Sequence, residues 1–231
     1  MPTRSKGTWS DFLFRTFQTL YACDFFQKEI WTPLGKKIFY ILFFINIKTR
    51  KVHIAGITDK ITQHWLMESI NTLDPVFEKA NGKSALIHDG DIHFRIKFKQ
   101  HFRDLNIKPI KISPGSPNMN PYAESWVSTI KRECLKNFLV IGKSHLEYLI
   151  HEFVDYYNNF RPHSSKNHEP LTALAKKYDG QIKSKPFLGG LHHHYYREQI
   201  TAMILSEKFM TISATRVFLV ALSWKDHGLN T

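Results

Sequence analysis

Thr19-Leu20-Tyr21-Ala22-Cys23-Asp24-Phe25-Phe26 is an apolar, aromatic run with a single charge in its middle. Aromatic density of this kind suits a pleated, half-buried surface, so the run reads as a strand. Working outward, Lys37 to Ile47 is a second strand rich in Ile and Phe, and Val52 to Ile57 a third. The polar turn Lys48-Thr49-Arg50-Lys51 joins them, and three consecutive strands with short turns predict an antiparallel meander. The period then changes. Trp65, Leu66, Ile70, Leu73 and Phe77 recur at three- and four-residue spacing, which predicts a helix over Thr62–Lys79, stopped by Asn81-Gly82-Lys83. Ser84–His88 reads as a short buried strand, Phe94–Leu105 as a helix and Ile107–Ile112 as a last strand. Ser113 to Asn120 is a loop by its Pro and Gly content; Asn120 is placed to cap, and Pro121 to begin, a helix reaching about Asn137. Another helix spans Ser144–Asn159, and a short one is expected at Leu171–Lys177. The order β-β-β-α-β-α-β-α predicts an α/β fold: a five-stranded mixed sheet flanked by helices.

The chain has 231 residues, 42% of them hydrophobic, enough for a substantial core. A formal net charge of +12 favours polyanionic partners, nucleic acid first among them. Two cysteines, Cys23 and Cys134, in no zinc-like spacing speak against a disulfide framework and fit a reducing compartment. The longest apolar run, Ile38 to Ile45, is far short of the ~20 residues that span a bilayer, and no secretory leader is visible. The expectation is a cytoplasmic protein with no membrane partner.

Three acids sit where structure alone gives little reason for them. Asp24 interrupts the first strand, Asp89 ends the run Ala85-Leu86-Ile87-His88-Asp89, and Glu124 lies in the first turn of the helix that Pro121 begins. Each has a plain alternative: a polar residue at a strand edge, a turn former before Gly90, or a carboxylate favoured by the positive end of a helix dipole. Taken together they resemble a ligand set for two Mg²⁺ ions, with Mn²⁺ as a substitute. Two such ions about 4 Å apart activate a nucleophile and stabilise the leaving oxygen in phosphodiester chemistry. Mg²⁺ takes hard oxygen donors and keeps several waters, so a few carboxylates suffice. Asp91 competes with Asp89 for the second position, which stays open between them with Asp89 preferred. On the helix, Ser128 and Lys131 follow Glu124 on the same face.

These residues are similar to the catalytic core of the retroviral-integrase superfamily. They most resemble the integrase-core transposases of bacterial insertion sequences, which carry an Asp, Asp, Glu triad on a ribonuclease-H-like fold. The resemblance rests on Ala22-Cys23-Asp24-Phe25-Phe26, on Leu86-Ile87-His88-Asp89-Gly90-Asp91, and on Pro121-Tyr122-Ala123-Glu124-Ser125-Trp126-Val127 with Lys131-Arg132-Glu133-Cys134-Leu135. Tyr156-Tyr157-Asn158-Asn159 with Arg161-Pro162-His163, and Gly189-Gly190-Leu191-His192-His193, extend it to roughly residues 15–196. It implies that Asp24, Asp89 and Glu124 are catalytic and hold the metals, and that DNA strands are cleaved and then joined by attack of a 3′-hydroxyl. The DNA would comprise transposon ends and target, and the working assembly would be a homo-oligomer, at least a dimer on DNA. Full-length relatives carry an N-terminal helix-turn-helix region; the sequence here is read as lacking it, as in a truncated copy or one product of a split frame. The domains expected are a basic segment at 1–14, the catalytic core at 15–160, and a C-terminal helical extension at 161–231 with an unplaced tail.

Lys108, Lys111, Lys131, Arg132 and Arg161 are the candidate DNA contacts, with Lys136, Tyr122 and Trp126 nearby. Trp126 reads first as core, and Arg161-Pro162-His163 reads equally as a surface turn. Two rival functions remain: a nuclease of the same fold that releases strands without joining them, and an inactive relic that only binds DNA or co-assembles with a full-length transposase.

Overall fold

A computed structural model describes residues 15–77, 83–112, 121–172 and 180–198. The expected Ser113–Asn120 loop, most of the Leu171–Lys177 helix and the tail beyond 198 lie outside the described residues. Five strands form one sheet: β1 (Thr19–Thr32), β2 (Gly35–Asn46), β3 (Val52–Thr58), β4 (Ser84–His88) and β5 (Ile107–Lys111). Their spatial order is β3-β2-β1-β4-β5. The first three are antiparallel and the last two run parallel to β1, so the sheet is mixed as the sequence predicts. The Pro33-Leu34 turn between β1 and β2 closes on Gly35 at φ 100°, a backbone conformation that glycine adopts without steric cost.

Because side chains alternate along a strand, the sheet buries two different sets. Ala22, Phe26, Ile41, Phe43, Ala85 and Ile87 face one side. They pack against helices α4 (Pro121–Glu133) and α5 (Gly142–Asn159) through Trp126, Ile130, Leu146, Ile150 and Phe153. Tyr21, Cys23, Leu42, Phe44 and Leu86 face the other side. There they meet α1 (Gln63–Asn71), α2 (Asp74–Phe77) and α3 (Ile96–Asp104) through Leu66, Ile70, Phe77, Phe98 and Phe102. Full burial of each large apolar side chain contributes roughly 1.5–3 kcal/mol, so these two layers carry most of the fold's favourable free energy.

The edges are closed by polar devices. Asn158 at the end of α5 accepts from the Val52 amide (2.9 Å) and donates to the Val52 carbonyl (2.8 Å). That bidentate pairing occupies the start of β3, an edge strand whose bare backbone would otherwise invite another strand. Thr62 caps α1 by accepting from the Trp65 amide.

The chain divides into two compact units: residues 1–173 with 187–191, and residues 174–186 with 192–231. The expected C-terminal helical extension is corrected in part. Its described portion contains a two-stranded sheet, β6 (Ile182–Phe187) and β7 (His192–Arg197), joined by a short 3-10 turn at Leu188–Gly190. Ile182 through Pro186 are exposed on both faces of β6, so the segment lacks the apolar period that would mark it as a strand.

Candidate functional site

The three acids arrive by different elements. Asp24 lies within β1 and pairs with Phe43 of β2. Asp89 follows β4 directly. Continuing the parallel β1–β4 register from Ala22–Ile87 by two residues brings Asp24 level with Asp89, on strands that lie ~4.8 Å apart. Both fall at positions facing the α4/α5 side, since Ala22, Phe26, Ala85 and Ile87 share that parity. The ladder itself ends at Ala22–Ile87, just before the two aspartates. Glu124, exposed in the first turn of α4, lines the same groove as Asp24.

A groove of about 800 Å³ runs along this side, lined by Asp24, Phe25, Phe26, Gln27, Glu124, Val127, Ser128, Lys131, Arg132 and Lys136. One wall is β1 and the other is α4 with the 3-10 turn after it. Two of the acids and two of the predicted DNA contacts, Lys131 and Arg132, therefore share one cleft. Gln27 is the polar lining residue that sequence reasoning missed; a lone polar residue in a strand carries no signal for it.

The electrostatics of Asp24 reflect its neighbours. Its carboxyl is pushed up to about 6, first by burial and then by the negative charges of Asp89, Asp91 and Glu124, against a hydrogen bond from the Phe25 amide (2.7 Å). Behind it the buried Cys23 thiol is driven well above its ordinary range by burial and by Asp24 and Asp89. Asp89 accepts from the Asp91 amide (3.0 Å). Asp91 in turn is engaged by His93, accepting from its amide and meeting its ring, each at 2.7 Å. His88 donates its Nδ1–H to the Asp89 carbonyl (2.7 Å), and burial pushes its ring pKa below the ordinary value. Lys111 lies across the turn: a methyl group at Gly90 would stand 3.3 Å from its Cε and 3.8 Å from its Nζ.

The remaining candidates divide by position. Lys108 is exposed on β5 opposite Ala85 and does not line the groove. Arg161 forms a bidentate pair with Glu133, at 2.7 Å through Nε and 2.8 Å through Nη2. That pair ties the end of α4 to the end of α5. Burial alone would raise the Glu133 carboxyl, but the Arg161 guanidinium outweighs it and holds the group below its usual range. Trp126 is core: 1% exposed, with its ring 4.5 Å from Phe43 and 5.6 Å from Phe26. Tyr122 carries the Arg50 guanidinium over its ring at 3.7 Å, which fastens the β2–β3 turn to the first turn of α4.

Among the described residues, no three of His, Cys, Asp and Glu stand close enough to cage a metal ion as they are. The donor set nevertheless fits a hard divalent cation: Asp24, Asp89 and Glu124 offer only oxygens. The mutual repulsion that raises Asp24 is what a bound cation relieves.

Residues 105–170 match the family model described as integrase core domain. The match to this core runs from Leu105, just after α3, through β5, α4 and α5 to just past Arg161-Pro162-His163. A 39.2 kDa protein of insertion element IS476 from Xanthomonas euvesicatoria is 33% identical over 88 residues, which is 37% of this chain and 25% of that protein. The chain thus matches about a quarter of that relative's length. The integrase catalytic core domain of HTLV-2, solved with magnesium in a dimeric form, superposes with a TM-score of 0.51 at 13% identity, covering 67% of this chain and 94% of that one. A trimeric form of the same domain gives 0.50 at 12% identity, over 64% and 90%. At such identities the likeness speaks for the fold alone: the chain has a five-stranded mixed sheet with flanking helices, like the ribonuclease-H-like catalytic domains. Among the described residues no helix is long and apolar enough to cross a membrane.

Proposed function

We propose that this chain is an integrase core that cleaves and transfers DNA strands in a metal-dependent reaction, as a transposase does, with Asp24, Asp89 and Glu124 holding two Mg²⁺ ions. The observation that carries the reading is Asp24 itself. It is a half-buried carboxylate raised to about 6, and three further acids contribute to that shift, in a groove whose far wall is cationic. Divalent cations held there would lower the pKa of an attacking water or 3′-hydroxyl and neutralise the leaving oxygen. The chain's own residues do the rest. Lys131, Arg132 and Lys136 neutralise the phosphates of a strand lying along α4, while Ser128 offers a hydroxyl to the same strand. Asp89 is preferred over Asp91 as the second ligand, because Asp91 is occupied by His93 and Asp89 is the acid level with Asp24. The proposal extends to transposon ends and target DNA as partners, a homo-oligomer of at least two chains, since joining two ends needs two sites, and a cytoplasmic setting.

The test is calorimetric titration of Mn²⁺ into the protein and into Glu124→Gln, followed by a DNA nicking and joining assay. Binding that weakens about tenfold or more in the variant is expected. No binding to either folded protein would overturn the metal reading and leave an inactive DNA-binding relic. Nicking without joined products would leave a nuclease.

A further inference from the structure

The β6–β7 ribbon carries a feature that the catalytic groove does not use. His193 and Tyr195 stack on one face, with ring centroids 5.9 Å apart and planes 23° apart. His194 and Tyr196 stack on the other, at 5.8 Å and 10°. Alternation along β7 puts the two pairs on opposite faces. Tyr195 is 67% exposed and Tyr196 44%. Four rings are thus arranged in two ladders on a ribbon with no core of its own to bury them. Ser184 of β6 braces the ladder through a 2.8 Å hydrogen bond with His193 Nδ1. The described stretch around it holds three cations, Lys183, Lys185 and Arg197, against one acid, Glu198. Lys183 pairs with that acid at 2.6 Å, and Arg197 fastens the ribbon by donating to the Gly180 carbonyl.

We infer that this ribbon is a stacking platform for unpaired bases of a DNA strand. Exposed, parallel, preordered rings bounded by positive charge are what single strands bind, because every base has a flat face and every nucleotide a phosphate. The exposed face of β7 is His, Tyr and Arg throughout, so it offers flat rings for bases and positive charge for phosphates. The platform is separate from catalysis and would act with the metals removed.

The test uses the full chain with EDTA present, so that failure of the metal reading does not touch it. Anisotropy of a labelled oligothymidylate of about 16 nucleotides is compared for the wild type, Tyr195→Leu/Tyr196→Leu and Tyr195→Phe/Tyr196→Phe. The Leu variant should bind about tenfold or more weaker, the Phe variant within about twofold of wild type, and both should melt as the wild type does. The loss should be larger for the single strand than for a duplex. Unchanged affinity in a folded Leu variant overturns the proposal. So does an equal loss on duplex, or a shift in oligomeric state without a change in DNA affinity, which would make the ribbon a protein interface. Photocrosslinking of a 5-iodouracil strand to the wild type gives an answer that needs no variant. Adducts at Tyr195 or Tyr196 are expected, and adducts confined to α4 would overturn the platform.

Discussion

Asp24 pays for its position in stability as pH rises. Its folded pKa of about 6 lies above the ordinary carboxyl value near 4, so the folded state prefers the protonated form. The stability this group contributes is present in full below pH ~4 and is lost as pH rises through about 6. Asp24→Asn keeps the size and can keep the hydrogen bond from the Phe25 amide. The gap in melting temperature between variant and wild type should therefore open between pH ~4 and ~6 and stay constant above ~7. It should reach on the order of 1–2 kcal/mol after allowance for partial solvent screening, or about 3–6 °C. Adding Mn²⁺ should raise the wild type and leave the variant unmoved; scanning calorimetry across pH reads both. Trp126 makes a second residue-scale case. Its indole N–H is buried without a hydrogen-bond partner, while its ring fills the space between Phe26, Phe43 and Tyr157. Trp126→Ala should cost ~3–5 kcal/mol, and Trp126→Phe much less, because losing the orphaned donor offsets part of the lost volume. Urea midpoints decide it. Asp24 and Asp89 stood out in the sequence because each sits in or ends an apolar run, and Glu124 because it lies in the first turn of the helix that Pro121 begins. The role of Trp126 did not, because an aromatic on a helix reads the same whether it faces a core or a base.

At the scale of elements, α4 carries the proposed ligand Glu124, and three interactions fix it. Trp126 seats its middle, Arg50 over Tyr122 holds its start, and the Arg161–Glu133 pair holds its end. Breaking a half-buried bidentate pair on one side costs about 2–3 kcal/mol, and Lys cannot reproduce the fork. Arg161→Ala should destabilise by that amount and Arg161→Lys by roughly half. Both should leave DNA affinity at neutral pH nearly unchanged; a large affinity loss in a folded Arg161→Lys would restore the phosphate-contact reading. The pairing partner was invisible in the sequence because it lies across two helices, whereas the helices themselves followed from their apolar period. Other differences have local causes. The expected Thr62–Lys79 helix stops at Asn71, and Asp74–Phe77 is a separate turn, because Pro75 lacks an amide and would clash with the turn before it. β1 runs on past Phe26 to Thr32, because Ile30 is buried and β2 pairs along its whole length. β6 and β7 have no buried face, so period-two patterning could not announce them.

For the whole molecule, the charge of +12 is spread widely, and part of it lines the groove beside Asp24. Lys131 and Lys136 line the groove beside Asp24 and Glu124; Lys108 sits on β5 away from that lining. Arg132 also lines it, but shares its guanidinium with Glu133 at 3.1 Å. Each phosphate neutralised by a side chain releases condensed counterions, so log affinity falls with log salt at a slope of about 0.9 per neutralised phosphate on duplex DNA. Lys131→Gln with Lys136→Gln should therefore flatten the salt dependence of duplex binding by about 0.9 for each phosphate left unneutralised. Lys108→Gln removes the same charge from the total but should leave the slope where it was. If non-specific attraction by net charge were the whole of binding, the three substitutions would act alike, each in proportion to one charge. Fluorescence anisotropy of one labelled duplex between low and moderate salt, with metal chelated, separates the two outcomes. A slope that changes only for the groove lysines means that the strand runs past the acids along α4. Equal changes at Lys108 would mean that the duplex lies across the β5 edge of the sheet instead, with the groove left to a single strand.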